Sequence, residues 1–197
     1  EIVEHFDLAH VGRSGAQADL AKLAWLNQHY LKQRSPAALF EVASPFLEAV
    51  AGRPVARDER VDRLLDLLRE RSSQLVEMAQ KARFALVDEI EIEPEAANKH
   101  FRTVVLEPLE KLVTELEPIA DFRAAAIEQA FERACKAAGD LKLGKLAQPV
   151  RVAVTGTTAS PGIYETLEVV GRERTLARLR NAAKWIRARG DGAETAS

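Results

Sequence analysis

Arginine is the side chain of this sequence best suited to binding chemistry, and its densest cluster lies between residues 172 and 189. Six arginines and one lysine stand there against a single acid, Glu173. On a helix, such a basic face could follow the phosphate backbone of a nucleic acid. It could equally belong to a solvated helix whose basic end complements the helix dipole. The residue types leave both interpretations open. The basic residues are Arg172, Arg174, Arg178, Arg180, Lys184, Arg187 and Arg189.

A second basic segment leads into a stretch of small and hydroxyl-bearing residues. Lys142, Lys145 and Arg151 precede the sequence TGTTASPG at residues 155–162, which stands before a predicted helix. Helix N-termini offer free N–H groups to anions, and small residues let another backbone approach closely. These features would suit contact with a polyanion. Taken alone, the residue types favour an ordinary connection between two helices.

Other kinds of chemistry find little support in the residue types. The histidines are scattered without metal-ligand spacing, and the ten glycines form no phosphate-binding loop. The acidic pair Glu89 and Glu91 is typical of a solvated edge rather than of an acid–base pair. Cys135 is the single cysteine, which excludes an internal disulfide. No catalytic residue and no metal site are predicted. The four histidines are His5, His10, His29 and His100.

Two further residues have an ordinary explanation in this sequence. Trp25 lies on a predicted helix whose Leu20, Leu23 and Leu26 are expected to form a core stripe. A tryptophan there is more often a core or rim residue than a platform for stacking bases. Arg71 ends a predicted helix, where an arginine commonly compensates the helix dipole at the surface.

Helices must position these residues, because helical spacing dominates the first half of the chain. Apolar residues predict a helix over 20–30, with Ser14 as its cap, and Ser35 caps a second helix that Pro45 should kink or break. Two more helices follow. Residues 87–93 alternate apolar and acidic side chains and stop at Pro94, which predicts an extended linker.

The second half is also predicted to be helical. Asp121 is a good cap for one helix, and Ser160 with Pro161 should start another that ends at Gly171. Valines at 150, 152 and 154 alternate with Arg151, Ala153 and Thr155, which by its period alone suggests a strand. These residues follow a helix-favouring segment and have no visible partner strand, so a helix is predicted. The last helix covers residues 172–189, and a disordered tail follows.

The predicted fold class is therefore all-α, with two consecutive helical-bundle subdomains. The boundaries fall at residues 1–35 for a leading segment, 36–93 and 94–190 for the two subdomains, and 191–197 for the tail. The net charge of −2 creates no strong global field, so any nucleic-acid site must be a local patch. The apolar runs are too short to span a bilayer, and we expect a cytoplasmic protein. Met78 is the single methionine, which suggests a fragment of a longer protein.

Several stretches together form a recognisable pattern: FDL at residues 6–8, DLAKLAWLN at 19–27, KLGKLAQPVRVAVTG at 142–156, SPGIYE at 160–165, and LE at 167–168 leading to GRER at 171–174. In this order, over residues 6–189, they resemble the C-terminal region of bacterial glutamyl-tRNA synthetases. The resemblance implies the end of a stem-contact domain, up to about Arg34, followed by two helical anticodon-binding subdomains.

This resemblance implies that the parent protein attaches glutamate to tRNA with ATP and magnesium as cofactors. The family's two ATP-site motifs, HIGH and KMSKS, do not occur here, so the fragment alone is expected to be inactive. Its implied partner is glutamate tRNA, without DNA or membrane partners, and a monomer is expected. A helical protein–protein scaffold remains the alternative, and it would need a large exposed apolar face without salt-sensitive RNA binding.

The resemblance also implies roles for individual residues. Arg151 matches an arginine that contacts the anticodon, whereas Ser160, Pro161 and Ile163 match positions that line the anticodon pocket. Two of these positions depart from the family pattern, which often has threonine where Ser160 stands and leucine where Ile163 stands. Trp25 matches a tryptophan near the stem of the tRNA.

Arg71 matches an arginine that reads the third anticodon base, which is C in glutamate tRNA and G in glutamine tRNA. A guanidinium donates to the acceptor edge of cytosine, whereas guanine is larger and presents a different edge. The resemblance therefore implies an enzyme that rejects glutamine tRNA. The arginines of the last helix, Arg178 among them, are expected to supply electrostatic attraction or structure.

Overall fold

The computed structural model describes the backbone of residues 19–194 and the side chains of residues 19–189, and helices account for most of this part. Residues 150–155 are helical, as predicted, and no β-strand occurs between residues 19 and 194. The helices are α1 Leu20–Gln33, α2 Pro36–Ala51, α3 Glu59–Arg69, α4 Leu75–Leu86, α5 Pro94–His100, α6 Leu106–Leu116, α7 Ala124–Ala137, α8 Leu143–Thr155, α9 Ile163–Val170 and α10 Arg172–Glu194, with a short 3₁₀ turn at Thr103–Val105 before α6.

Helices α2, α3 and α4 pack on one another and form what we call the first helical unit. Ser35 caps α2 by accepting a hydrogen bond from the Ala38 amide at 3.3 Å, as the sequence predicted. Asp58 caps α3 in the same way, with 2.7 Å to the Val61 amide. Pro45 lies inside α2 without ending it, so of the predicted kink or break the break does not occur.

Helices α5 to α10 form the second helical unit, with α8 at its centre. Helix α8 contacts α5, α6, α7, α9 and α10, and seven of its thirteen residues are buried. The predicted cap of α7 is wrong: the helix begins after Arg123, and the carboxylate of Glu168 in α9 accepts the Ala124 amide at 3.1 Å. A distant acid therefore replaces Asp121 at this helix end.

Two other predicted helix ends need correction. Helix α9 begins at Ile163 with Gly162 as its N-cap, rather than at Pro161 with Ser160 as the cap. Helix α10 continues to Glu194, so the backbone of residues 190–194 is helical where the sequence predicted the start of a tail. Residues 195–197 lie outside the described residues.

Helix α1 carries an apolar stripe that the sequence predicted to be core. Asp19 caps this helix through its carboxylate at 3.0 Å from the Ala21 amide, whereas the predicted cap Ser14 lies outside the described residues. Only Leu31 of α1 is buried. The stripe is exposed within the described part of the chain, so the core prediction is wrong there. Its exposed members are Leu20, Leu23, Trp25, Leu26 and Tyr30.

The two units meet through α3 and α4 on one side and α8 and α9 on the other. Arg123, just before α7, makes a two-pronged ion pair with Glu59 of α3 at 2.8 and 3.1 Å. Arg63 of α3 reaches Glu168 of α9 at 3.1 Å. These pairs link the two helical units. The division of the chain into subdomains at residue 94 stays a prediction.

Candidate nucleic-acid interface

A cleft of about 750 Å³ opens between the two helical units. One wall comes from the end of α3, the turn after it and α4, and the other comes from the end of α8 and the loop before α9. Linker residues 90–93, together with Pro94 at the start of α5, join the two walls. The first wall consists of Leu68, Arg71, Gln80, Lys81, Arg83 and Phe84, and the second of Thr155, Thr157, Ala159, Ser160 and Pro161.

Arg71 enters this cleft from the first wall. Its backbone amide donates to the Leu68 carbonyl at 2.9 Å, and its own carbonyl accepts a hydrogen bond from the Lys81 ammonium. The backbone is therefore fixed on both sides while the side chain is exposed. This arrangement leaves the guanidinium available to a ligand in the cleft.

Arg151 lies in α8 behind the second wall and is half-buried. Its Nη1 donates to the Pro161 carbonyl at 2.7 Å and to the Ser160 hydroxyl. Burial lowers the pKa of Arg151, and repulsion from the positive charge of Arg71 lowers this pKa further. Part of the donor capacity of Arg151 is already used to shape the loop that lines the cleft.

Hydroxyl groups hold the second wall in place. Thr155 donates to the Arg151 carbonyl at 2.9 Å, and Thr157 donates to the Ala159 carbonyl at 2.9 Å. Ser160 lies 3.1 Å from the hydroxyl of Thr166, which is buried in α9. The loop is preorganised by these bonds, so little ordering remains for a ligand to induce.

The structure thus brings together four of the six residues singled out from the sequence, namely Arg71, Arg151, Ser160 and Pro161. Ile163 is 7% exposed in the core at the start of α9 and does not line the cleft. Trp25 lies on α1, 62% exposed, and stacks on His29 with 5.8 Å between ring centres. The RNA-contact roles of all six residues stay predictions.

Acidic residues of the cleft were missed at the sequence level. Glu91 and Glu93 line it from the linker, and both are exposed. Their alternation with apolar residues indicated only an extended segment with a solvated edge. They line the same cleft as Arg71 only because the two units fold against each other.

The basic face of α10 is largely engaged with the protein itself. Arg172 donates to the carbonyls of Glu117 and Ile119 at 3.3 Å, Arg174 pairs with Asp88 at 2.7 Å, and Arg178 is buried. The guanidinium of Arg189 sits 4.7 Å from the ring centre of Trp185. The structural interpretation of this helix is therefore favoured over a free phosphate-binding face. The remaining pairs join Arg180 to Glu117 and Arg187 to Glu110.

Glu77 of α4 supports the wall that carries Arg71. Its carboxylate accepts hydrogen bonds from the Lys81 ammonium at 2.6 Å and from the Ser73 amide at 2.7 Å, and these bonds lower the pKa of Glu77 to about 2 from an ordinary 4.5. A carboxyl whose pKa falls on folding stabilises the fold above its ordinary pKa. That contribution is lost as the pH falls from 4.5 towards 2.

We therefore expect Glu77→Gln to lower the melting temperature at pH 6 by up to about 3 °C, since partly exposed bonds contribute at most about 1 kcal/mol. The gap between the original chain and the variant should narrow as the pH falls through 4.5 and close near 2. Thermal melts across this range measure it, with exposed Glu132→Gln as the control. A gap that is unchanged at pH 3 would contradict the role of Glu77.

Comparison with known proteins identifies the domain that carries this cleft. Residues 38–183 match the family model described as an anticodon binding domain, which includes both walls and the linker. The chain belongs to the anticodon-binding domain family. All four residues that meet at the cleft lie within the matched part of this anticodon-binding domain.

The relatives of this anticodon-binding domain are longer proteins. A glutamate–tRNA ligase of Syntrophobacter fumaroxidans is 45% identical over 186 residues, covering 94% of this chain and 39% of the ligase. The glutamate–tRNA ligase of Geobacter sulfurreducens is 40% identical, covering 94% of the chain and 40% of the ligase. The chain therefore spans about two fifths of the length of these relatives.

A solved structure shows the same fold. The crystal structure of a glutamate tRNA ligase from Elizabethkingia meningosepticum, in complex with its amino acid, superposes with a TM-score of 0.77 at 24% identity. The match covers 93% of this chain and 36% of that protein. The helical architecture of this anticodon-binding domain is thus also found within a solved ligase.

The described residues offer neither a membrane span nor a metal cluster. No helix between residues 19 and 194 is long and apolar enough to cross a membrane. In that same part of the chain, no three histidine, cysteine or acidic side chains come close enough to hold a metal ion.

Proposed function

We propose that this chain reads the anticodon of glutamate tRNA as part of a glutamate–tRNA ligase, an enzyme that attaches glutamate to its tRNA with ATP. The family match supports an anticodon-binding role, and the names of the relatives support glutamate as the amino acid. The observation that carries the proposal is the cleft between the units, where Arg71 faces the wall held by Arg151.

The cleft has the chemistry of a site for unpaired bases. Bases of an RNA loop can be splayed apart and read on their edges by side chains. Arg71 offers a planar set of donors to the acceptor edge of a cytosine, and the carboxylates of Glu91 and Glu93 can accept from an exocyclic amine. Lys81 and Arg83 line the same cleft, so three cationic side chains stand there beside the two carboxylates.

The ligation chemistry is assigned to other parts of the proposed longer protein. ATP, magnesium and glutamate would be bound there, where ATP activates the amino acid. This chain would contribute the position of the tRNA and the choice between tRNAs. It would act as a single copy in the cytoplasm, with tRNA as its nucleic-acid partner.

Binding of the chain to RNA tests this proposal directly. We expect the 197-residue chain to bind an anticodon stem-loop of glutamate tRNA more tightly than that of glutamine tRNA. Raising the salt from 50 to 200 mM should weaken binding on the order of tenfold, as about three phosphate contacts to a single strand require. Fluorescence anisotropy with labelled stem-loops measures both quantities. Equal and salt-independent binding of the two stem-loops would contradict the proposal.

A helical scaffold for protein partners remains the second candidate because of the exposed stripe on α1. Trp25 is 62% exposed, Leu20 77% and Leu23 55%, which is unusual for one helix face. A scaffold of this kind would bind its partner through α1 and would bind neither stem-loop. Absence of RNA binding at 50 mM salt would favour it, whereas selective binding of the glutamate stem-loop would exclude it as the main function.

A further inference from the structure

One buried arginine connects the two walls of the cleft. The Nη1 of Arg178 donates to the Phe84 carbonyl and to the Val154 carbonyl, each at 2.7 Å. Phe84 belongs to the first wall, and Val154 directly precedes Thr155 of the second wall. A single nitrogen therefore spans the two helical units beneath the cleft.

The other terminal nitrogen of Arg178 holds the start of the linker. Its Nη2 donates to the Val87 carbonyl at 2.7 Å and to the Asp88 carbonyl at 3.3 Å. The four acceptors come from three segments: the end of α4, the linker and the end of α8. Because guanidinium is planar and its donors point in fixed directions, these segments cannot shift independently without losing bonds.

The surroundings of Arg178 fit a fixed position. The residue is 6% exposed, and its Nε has no acceptor among the described residues. Burial lowers the pKa of Arg178 to about 10, with a smaller contribution from Arg174, so the group remains charged at neutral pH. Asp88 pairs with Arg174 instead, so carbonyl oxygens alone receive the hydrogen bonds of Arg178.

A second arginine also reaches both units, but less closely. Arg60 of α3 donates to the Ala85 carbonyl at 3.4 Å and to the Val169 carbonyl at 3.5 Å. These bonds are long for N–H···O contacts. Arg178, whose bonds to Phe84, Val154 and Val87 are each 2.7 Å, is therefore held more closely than Arg60.

We propose that Arg178 is a positioning residue that fixes the separation of the two cleft walls, so that Arg71 on one wall and the loop held by Arg151 on the other act on the same RNA loop. The proposal rests on the anticodon-reading function proposed above. It assigns to Arg178 an effect on base selection even though its side chain lies outside the cleft.

The test combines base selection with a direct measurement of the cleft. Arg178→Lys keeps a positive charge but cannot span four carbonyls. We expect this variant to stay folded, as measured by circular dichroism. Its preference for C over G at the third anticodon base of the stem-loop should fall at least fivefold. Arg187→Ala is the control, since it removes an exposed arginine of the same helix that pairs with Glu110. The control should leave the preference unchanged.

Spin labels measure the separation of the walls without RNA. Cysteines replace Gln80 and Ala159, one exposed residue on each wall, in a chain whose Cys135 is changed to alanine. Electron–electron double resonance should give one narrow distance distribution, which Arg178→Lys broadens or shifts and Arg187→Ala does not.

The possible outcomes separate this inference from the function on which it rests. If the original chain shows no preference between the stem-loops, the proposed function fails. The distance measurement alone then shows whether Arg178 fixes the separation of the two cleft walls. If the folded Arg178→Lys variant keeps both the base preference and the narrow distribution, the inference is overturned. If neither Arg178→Lys nor Arg178→Met folds, Arg178 serves stability alone, and the positioning role is also overturned.

Discussion

Replacing Arg71 with glutamine should reduce the preference for C over G at the third anticodon base by about ten- to a hundredfold. Glutamine keeps an amide donor, but it loses the charge and the planar set of donors that a guanidinium offers to a base edge. By analogy with groove readout, one well-placed arginine–base contact contributes about 1–3 kcal/mol of discrimination. Arg71 is exposed in the cleft with a fixed backbone, so the substitution should remove the contact without disturbing the wall.

The measurement compares affinities for two stem-loops that differ only at this base. Arg133→Gln is the matched control, because it removes one positive charge from the ion pair between Arg133 of α7 and Glu115 of α6, and neither residue lines the cleft. This control should weaken both stem-loops equally or have no effect. If folded Arg71→Gln keeps the original C-to-G ratio, Arg71 returns to the ordinary interpretation of a surface arginine at a helix end.

The helices of this chain could be predicted from the sequence because helical spacing is a local property. Residues 150–155 show the limit of that reasoning, since their alternation also fits a strand. In the folded chain these residues form a helix at the centre of the second unit, where Val150, Val152 and Val154 are buried together with Ala153, and Arg151 is half-buried. A helix buried on most sides loses the one-sided pattern that identifies amphipathic helices.

Helix ends were less predictable where the stabilising group is distant in sequence. Asp121 has the right side chain for a cap, yet the start of α7 is stabilised by Glu168 from α9. Ser160 likewise satisfies the sequence rule for a cap, but its hydroxyl is engaged by Arg151 and Thr166. Local rules name suitable residues, whereas tertiary contacts decide which of them is used.

Burial was mispredicted in both directions for the same reason. The apolar stripe of α1 has the spacing of a core face, but its members are exposed in the described part of the chain, Leu20 by 77%. Arg178 is a charged residue of a type that is usually exposed to solvent. It is buried because its acceptors, which lie more than twenty residues away in the sequence, surround it in the folded chain. The spacing of apolar residues defines one face of a helix, but only the tertiary structure determines which residues cover that face.

The candidate site shows what a family resemblance can and cannot supply. It named Arg71 and Ser160, which are far apart in sequence and line one cleft. It could not supply the carboxylates of Glu91 and Glu93, which belong to the site only through the position of the linker. The balance of positive and negative groups in the cleft therefore depends on the fold.

The linker meets the second unit at Gly156, and this contact predicts a large loss of stability on substitution. Gly156 ends α8 with a φ of 83°, and its carbonyl accepts the Glu93 amide at 2.9 Å. A Cβ at this position would overlap the Glu91 carbonyl oxygen and lie 3.2 Å from its carbon. Backbone atoms of the linker cannot rotate away as a side chain can, so the linker itself would have to move.

Gly156→Ala should therefore lower the free energy of unfolding by about 3–5 kcal/mol, of which about 1–2 is the backbone strain of alanine at positive φ. Gly139→Ala is the matched control, because Gly139 has a φ of 78° with nothing within 4 Å of the added Cβ. It should show the backbone cost alone. Urea unfolding of the two variants measures the difference. Equal losses would mean that the linker yields to the methyl group, and that the contact between Gly156 and Glu91 does not fix the geometry of the cleft.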